Sequence, residues 1–216
     1  GWTPTVPEKV PVGGGTYVAK FVTKDVRTVT VKSGDDLQAA IDDMGIWRGE
    51  VHFTEGTYPL AAPLVPRANV ALIADEAGVE LSGGSWTHKA NSTTEAYRLA
   101  VSVGGDFTLD EDAAIDVTAC GYSKAGPSYI KDHCGGAYGG QGTGFGSKPV
   151  TLCYGSITKP VNIGSSGHNT NRGGGAVCLT VAGTLTVNGR IFADGQTSNP
   201  VGEYYACAGG SIWGTA

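Results

Sequence analysis

The sequence is poor in the features that most often announce chemistry or a membrane. Charged residues are 16% of its 216 positions, against about a quarter in ordinary soluble domains. The net charge of −5 comes without a basic stripe, so nucleic acid is not an expected partner. No apolar run approaches the roughly 18 residues of a membrane helix, and no membrane span is expected. No secretory leader is visible, and the opening Gly-Trp-Thr-Pro is what a processed chain would show. The cysteines lack the paired Cys-x-x-Cys of a zinc site. Gly-x-Ser-x-Gly, His-Glu-x-x-His and the phosphate-binding loop are all absent, so no cofactor is implied.

Glycine is what the chain has in excess. Its 35 residues are more than twice the usual share, and most follow Cys120. The stretch "GGGAVCLTVAGTLTVNGRIFADG" (173–195) shows the pattern: short alternating strands broken at Gly183, Gly189 and Gly195. Val177, Leu179, Val181, Leu185 and Val187 alternate as inward-facing residues should, and Ile191 and Ala193 continue the alternation. The glycines are expected at corners that need positive φ or close backbone approach, and where loops lie flat on one another.

Upstream, residues 1–25 carry Pro4, Pro7, Pro11 and three consecutive glycines, the composition of an extended arm. "VRTVTVKSGDDLQAAIDDMG" then predicts a strand and a short amphipathic helix near 35–44. Ser33 is its expected cap, Asp36 the acid of a capping box, and Leu37, Ala40, Ile41 and Met44 the apolar face. Gly45 is placed to end it. Short β-branched segments follow every 8 to 12 residues or so, which suggests a sandwich, a barrel or a solenoid of strands. Internal similarity favours the solenoid. "FTLDEDAAIDVTACG" (107–121) resembles "LTVNGRIFADG" (185–195) and "DHCGGAYGG" (132–140) resembles "YACAGGSIWG" (205–214), at offsets near 78 and 73 residues.

"DLQAAIDDMG", "GEVHFTEGTYPLAAPL" and "NVALIADEAGVEL" together resemble the start of a right-handed parallel β-helix of the pectin-lyase-like group. "YGSITKPVNIGSSG", the stretch 173–195 and "GGSIWGTA" resemble a glycine-rich β-helix module of large bacterial surface and secreted proteins. The resemblance implies an all-β fold: a right-handed parallel β-helix (solenoid) with a short N-terminal capping α-helix. Residues 26–216 would form one β-helix domain, with a glycine-rich, loop-bearing half from about residue 120. It further implies an extracellular or cell-surface protein with a structural, adhesive or fibre-forming role. The alternative is a carbohydrate-active enzyme, polysaccharide lyase or glycoside hydrolase, or a sugar-binding module.

The enzyme alternative needs a groove with two close carboxylates, or an acid beside Arg172 or Lys148. Acids cluster at Asp106, Asp110, Glu111, Asp112 and Asp116. They offer oxygen ligands to calcium, but a polar turn between strands is the favoured explanation. Gly167-His168 starts like the Gly-His-Gly of polygalacturonases, but Asn169 follows and that family's other motifs are missing. His52 is expected in a strand. Tyr138, Tyr154, Tyr205 and Trp213 are the candidate sugar contacts, with packing of loops onto the coils the favoured role. Cys120, Cys134, Cys153 and Cys207 are candidates for at least one disulfide, while Cys178 fits as a buried apolar residue. Asn91 begins a glycosylation sequon. The strand-like end "GGSIWGTA" leaves a last coil open to head-to-tail association with another copy or to the remainder of a larger surface protein.

Overall fold

The computed structural model describes residues 2–3, 18–19, 27–43, 49–54, 56–58, 64–65, 70–74, 78–129, 134–142, 151–167, 171–197 and 206–216. In chain order the elements are β1 (Trp2–Thr3), β2 (Val18–Ala19), β3 (Arg27–Val31), α1 (Leu37–Asp43), β4 (Gly49–Phe53), β5 (Gly56–Thr57), β6 (Val70–Ala74), β7 (Val79–Leu81) and β8 (Gly84–Trp86). They continue with β9 (Leu99–Val103), β10 (Phe107–Leu109), β11 (Ala113–Asp116), β12 (Ala176–Val181), β13 (Leu185–Val187), β14 (Arg190–Phe192) and β15 (Ser211–Thr215).

The described chain is mostly β, with parallel sheets and one helix. Among the described strands only β1 and β2 pair antiparallel, with isolated antiparallel bridges at Ser123–Arg172 and Gly142–Thr151. One sheet has the order β13-β10-β7-β5, a second β14-β11-β8 and a third β15-β12-β9-β6-β4-β3. From β7 onward the chain visits these sheets in the same sequence three times. Asn188-Gly189, a dipeptide that commonly marks a hairpin, here joins β13 to β14, which lie in different parallel sheets. The similarity near 78 residues is a pairing register: Phe107 lies opposite Leu185 and Leu109 opposite Val187.

Side-chain alternation becomes columns because parallel strands in register place like residues over like. On the six-strand sheet Val51, Leu72, Val101 and Leu179 lie in one column. Val79 and Phe107 share a second, and Trp86 and Ile115 a third. These eight side chains are buried in a single core. Each buried aliphatic or aromatic side chain contributes about 1.5–3 kcal/mol. The rings of Phe53, Trp86 and Phe107 form a chain of contacts through it, with centroids 6.1 and 5.9 Å apart.

α1 covers the beginning of this core with Leu37 and Ile41, both buried. Its cap differs from the expected one. The Asp36 carboxylate accepts the Ala39 amide at 2.9 Å, so Asp36 is the N-cap. Ser33 instead donates to the carbonyl of Thr57 at 2.6 Å. A turn at Gly34, with φ of +92°, delays the helix by one turn and frees Ser33 to reach β5. Arg27 donates to the last-turn carbonyl of Asp43 at 2.6 Å and fastens the helix to β3. Met44 and Gly45 lie outside the described residues.

Beyond residue 120 the interior changes character. Backbone amides and carbonyls of glycine-rich segments bond to one another in layers: Gly121 N–H to Gly173 O at 2.7 Å, Gly164 N–H to Gly174 O at 2.8 Å, Gly174 N–H to Ala208 O at 2.9 Å and Gly210 N–H to Ala193 O at 2.7 Å. A Cβ on Gly121, Gly164, Gly173, Gly174 or Gly210 would overlap a neighbouring segment's backbone. Gly183, Gly189 and Gly195 are selected in the same way. None has positive φ, and each would drive a Cβ into an adjacent turn of chain. Close approach, not left-handed geometry, therefore explains these three corners.

Candidate functional site

Two cavities lie along the outer side of the β10 region. The first, about 320 Å³, is lined by Gly56, Thr57, Gly78, Val79, Glu80, Asp106 and Thr108. It brings Glu80 and Asp106 to one groove, a juxtaposition that strand alternation alone does not reveal. Both carboxylates already carry structural bonds. Glu80 accepts from the Thr57 hydroxyl at 3.2 Å, and Asp106 accepts the Thr184 amide at 2.6 Å. The second cavity, about 350 Å³, is lined by Ser82, Asp110, Glu111, Asp112 and Asn188. Glu111 and Asp112 form the turn between β10 and β11, and Asp116 accepts the Thr118 amide. Among the described residues neither lining contains Lys, Arg or His. Among the described residues no group of three or more His, Cys, Asp or Glu is placed to hold a metal ion.

The aromatic candidates separate. Tyr138 and Tyr154 meet edge to face, with centroids 5.1 Å apart. The Tyr154 hydroxyl donates to Ile163 O at 2.5 Å and accepts from Ser165, while the Tyr138 hydroxyl accepts the Asn162 amide at 3.2 Å. Burial pushes the Tyr154 phenol well above its usual range. These two rings help fasten the 151–167 loop; Tyr138 is buried and Tyr154 half-buried. Trp213 is half-buried on the outer face of β15, with the Lys159 ammonium 4.9 Å from its ring centroid. Tyr205, Lys148, His168 and Asn169 lie outside the described residues. Arg172 is not near the acidic cavities by any bond; its guanidinium donates to Asn91 O.

That bond belongs to a buried polar hub not evident in the sequence. Asn91 is 1% exposed. Its amide nitrogen donates to Tyr97 O and Cys120 O, and its oxygen accepts the Ala96 and Tyr97 amides. The sequon is therefore closed to glycosylation in the folded chain, because its acceptor nitrogen is buried and doubly bonded. His88 is equally enclosed. Its Nε2 lies 3.1 Å from the Ala176 amide, a group that only donates, so the ring proton sits on Nδ1 and is donated to Lys89 O at 3.0 Å. Burial lowers the His88 pKa against the opposing pull of the Lys89 carbonyl, with Arg98 adding to the lowering. His52 lies in β4 as expected, 3.1 Å from Glu50.

Cys120 is part of the hub, its thiol 3.2 Å from His88 O. Burial raises the thiol pKa of Cys120, Cys178 and Cys207, which favours the unreactive thiol. Cys207 accepts the Gly167 amide, Cys153 is exposed and Cys134 is buried. No disulfide is present among the described residues.

The clearest surface feature is the end of the molecule formed by β13, β14 and β15, each the last strand of its sheet. Leu185, Val187, Ile191 and Ile212 lie over Phe107, Leu109, Ile115 and Val177, all four fully buried. The upper residues continue the inward columns, but no described strand follows them. Val187 is 44% and Ile212 45% exposed, while Leu185 and Ile191 are half-buried. Val187 was expected to be buried like its column; its alternation is right, but no described strand stacks over it. No helix among the described residues is long and apolar enough to cross a membrane. No family model, no curated protein and no solved structure matches this chain.

Proposed function

We propose that the chain winds as a right-handed parallel β-helix, capped at its start by α1, and that it serves as an extracellular or cell-surface structural, adhesive or fibre-forming module without catalysis. The carrying observation is the threefold repetition of one sheet order in parallel register. A repeat of this kind supports a stack extended along one axis, since parallel strands need crossovers and these are right-handed in nearly all proteins. The resemblance to pectin-lyase-like and glycine-rich surface modules points the same way. Several chemistry-bearing side chains support a structural role, because Glu80, Asp106, Tyr154 and His88 are engaged in bonds between neighbouring segments. The uncovered end suits association with more β-structure, whether another copy or the remainder of a larger protein.

A carbohydrate-active β-helix is the second reading, and the groove with Glu80 and Asp106 is the observation that favours it. Incubation with uronate and neutral polysaccharides separates the two. The structural module releases neither unsaturated products nor reducing ends. Release that disappears in Glu80→Gln or Asp106→Asn would establish the enzyme instead.

A further inference from the structure

We propose that His88 is an acid-sensitive clasp, whose protonation parts the seam between the 117–122 turn and the 172–176 segment while the side-chain core stays closed. The ring stands where these segments meet. Its Nε2 accepts the Ala176 amide at 3.1 Å, immediately before the ladder of β9 with β12 begins at Leu99 and Val177. The neutral imidazole thus supplies the acceptor that completes the start of β12. Beside it the seam is made of main-chain bonds: Gly173 N–H to Tyr122 O at 3.0 Å, Gly121 N–H to Gly173 O at 2.7 Å and Gly175 N–H to Val117 O at 2.8 Å. The turn on one side holds Ala119 at φ of +57°, a region that ordinary side chains avoid, so the closed seam works against local strain.

A proton on Nε2 turns an acceptor into a donor, and two donors then face each other at hydrogen-bond distance. There is no room for a water beside the pair, since a carbon added at Gly175 would lie 2.4 Å from Nε2. His88 is 2% exposed, so the charge cannot reach solvent while the seam is shut. The surrounding groups offer it no partner. On its own loop Lys89 lies over the Tyr97 ring and Arg98 pairs with Glu95. The neighbouring turn brings Asp116, bonded to the Thr118 amide, with the Cys120 thiol and Tyr122 phenol, both kept in their neutral forms. The third segment brings Arg172, which donates to Asn91 O, and the neutral thiol of Cys178. Among the described residues the ring bonds to no carboxylate, and Arg98 opposes the added charge. Parting the seam hydrates the imidazolium and frees the Ala176 amide for water. The core cluster contains no His, Asp or Glu, so acid leaves it closed.

The test is hydrogen exchange of the full chain, read by mass spectrometry of its peptides at about pH 7 and about pH 5, with labelling times scaled to the intrinsic rate. Protection in 117–122 and 172–178 is expected to fall about tenfold or more in acid, while 99–109 keeps its own. Nitrogen NMR of the unaltered chain reports the cause. It should show a bare Nε2 at the higher pH and a doubly protonated ring over the range in which the seam opens. His88→Gln keeps an acceptor for the Ala176 amide and should hold the seam shut in acid. Equal loss of protection in the seam and in 99–109 overturns the proposal, since acid then unfolds the whole. Seam protection that is the same at both pH values overturns it too, as does a seam that opens while the ring stays neutral. Should His88→Gln fail to fold, exchange and ring titration of the unaltered chain still decide between these results.

Discussion

The molecule keeps water out in two different ways. Between β3 and β12 the interior is made of side chains: stacked columns of Val, Leu, Ile and aromatic residues inside three parallel sheets. Among the described residues of 121–175 and 193–210 much of the interior is backbone, with glycine amides and carbonyls satisfying one another across layers too close for a Cβ. The first kind draws on the hydrophobic effect and tolerates a change of shape at moderate cost. The second removes polar groups from water only because each finds a partner, and it has no space to give. In both, polar side chains tie neighbouring segments: His88 meets the Ala176 amide and Tyr154 the Ile163 carbonyl.

Substitutions should separate the two interiors. The largest effect is expected from Leu109→Asp, which puts an unpaired charge in the middle of a column. A loss of about 4 kcal/mol or more unfolds the chain, read as loss of cooperative melting. Val187→Asp, one strand further along the same column, costs far less, because Val187 already faces water. Leu185→Asp falls between them, since that side chain is half-buried. Equal effects at all three positions would contradict an open end.

Gly174→Ala comes next. Its Cβ would overlap the Ala193 carbonyl, and the expected loss is about 3 kcal/mol. Gly139→Ala is the matched control in the same half, because nothing lies within 4 Å of the added carbon. Urea titration of both measures whether the layers carry stability; a neutral Gly174→Ala would mean they do not.

The third effect depends on pH. His88 is held neutral in the folded chain and protonates more readily once unfolded, so the unfolded state binds more protons in acid. Stability is full above about pH 6.5 and declines as pH falls below it. The melting temperature should drop between pH 7 and pH 5. His88→Gln, which keeps an acceptor for the Ala176 amide, should flatten that slope. The smallest effect is expected from Asp112→Ala in the exposed turn, within about 0.5 kcal/mol of the parent.

Much of the sheet half was legible because alternation is a property of the strand itself. Val177, Leu179 and Val181 were expected inside and are buried. The loops were legible only in kind. Glycine density announced close-packed chain, and Tyr138 and Tyr154 each bond to the 162–163 segment. Ser33 was mistaken for the helix cap because spacing along the chain cannot show that β5 lies within reach of its hydroxyl. The hub of His88, Asn91, Cys120 and Arg172 left no signal, since its members are separated by up to 84 positions and bond mostly to main chain.

The sequence by itself determined the alternation of the later strands such as β12, the helix, and the 78-residue register that places Phe107 beside Leu185, but not the β1–β2 pair within the expected arm. Those follow from the two-residue pleat, the helical period and repetition, all local properties. Tertiary structure alone decided which inward residues become dry, which glycines must lack a side chain and which polar groups find partners. Dryness and bonding depend on what lies across from a residue in space. Leu109 and Val187 occupy equivalent places in the alternation, and only the strand stacked above one of them makes it core.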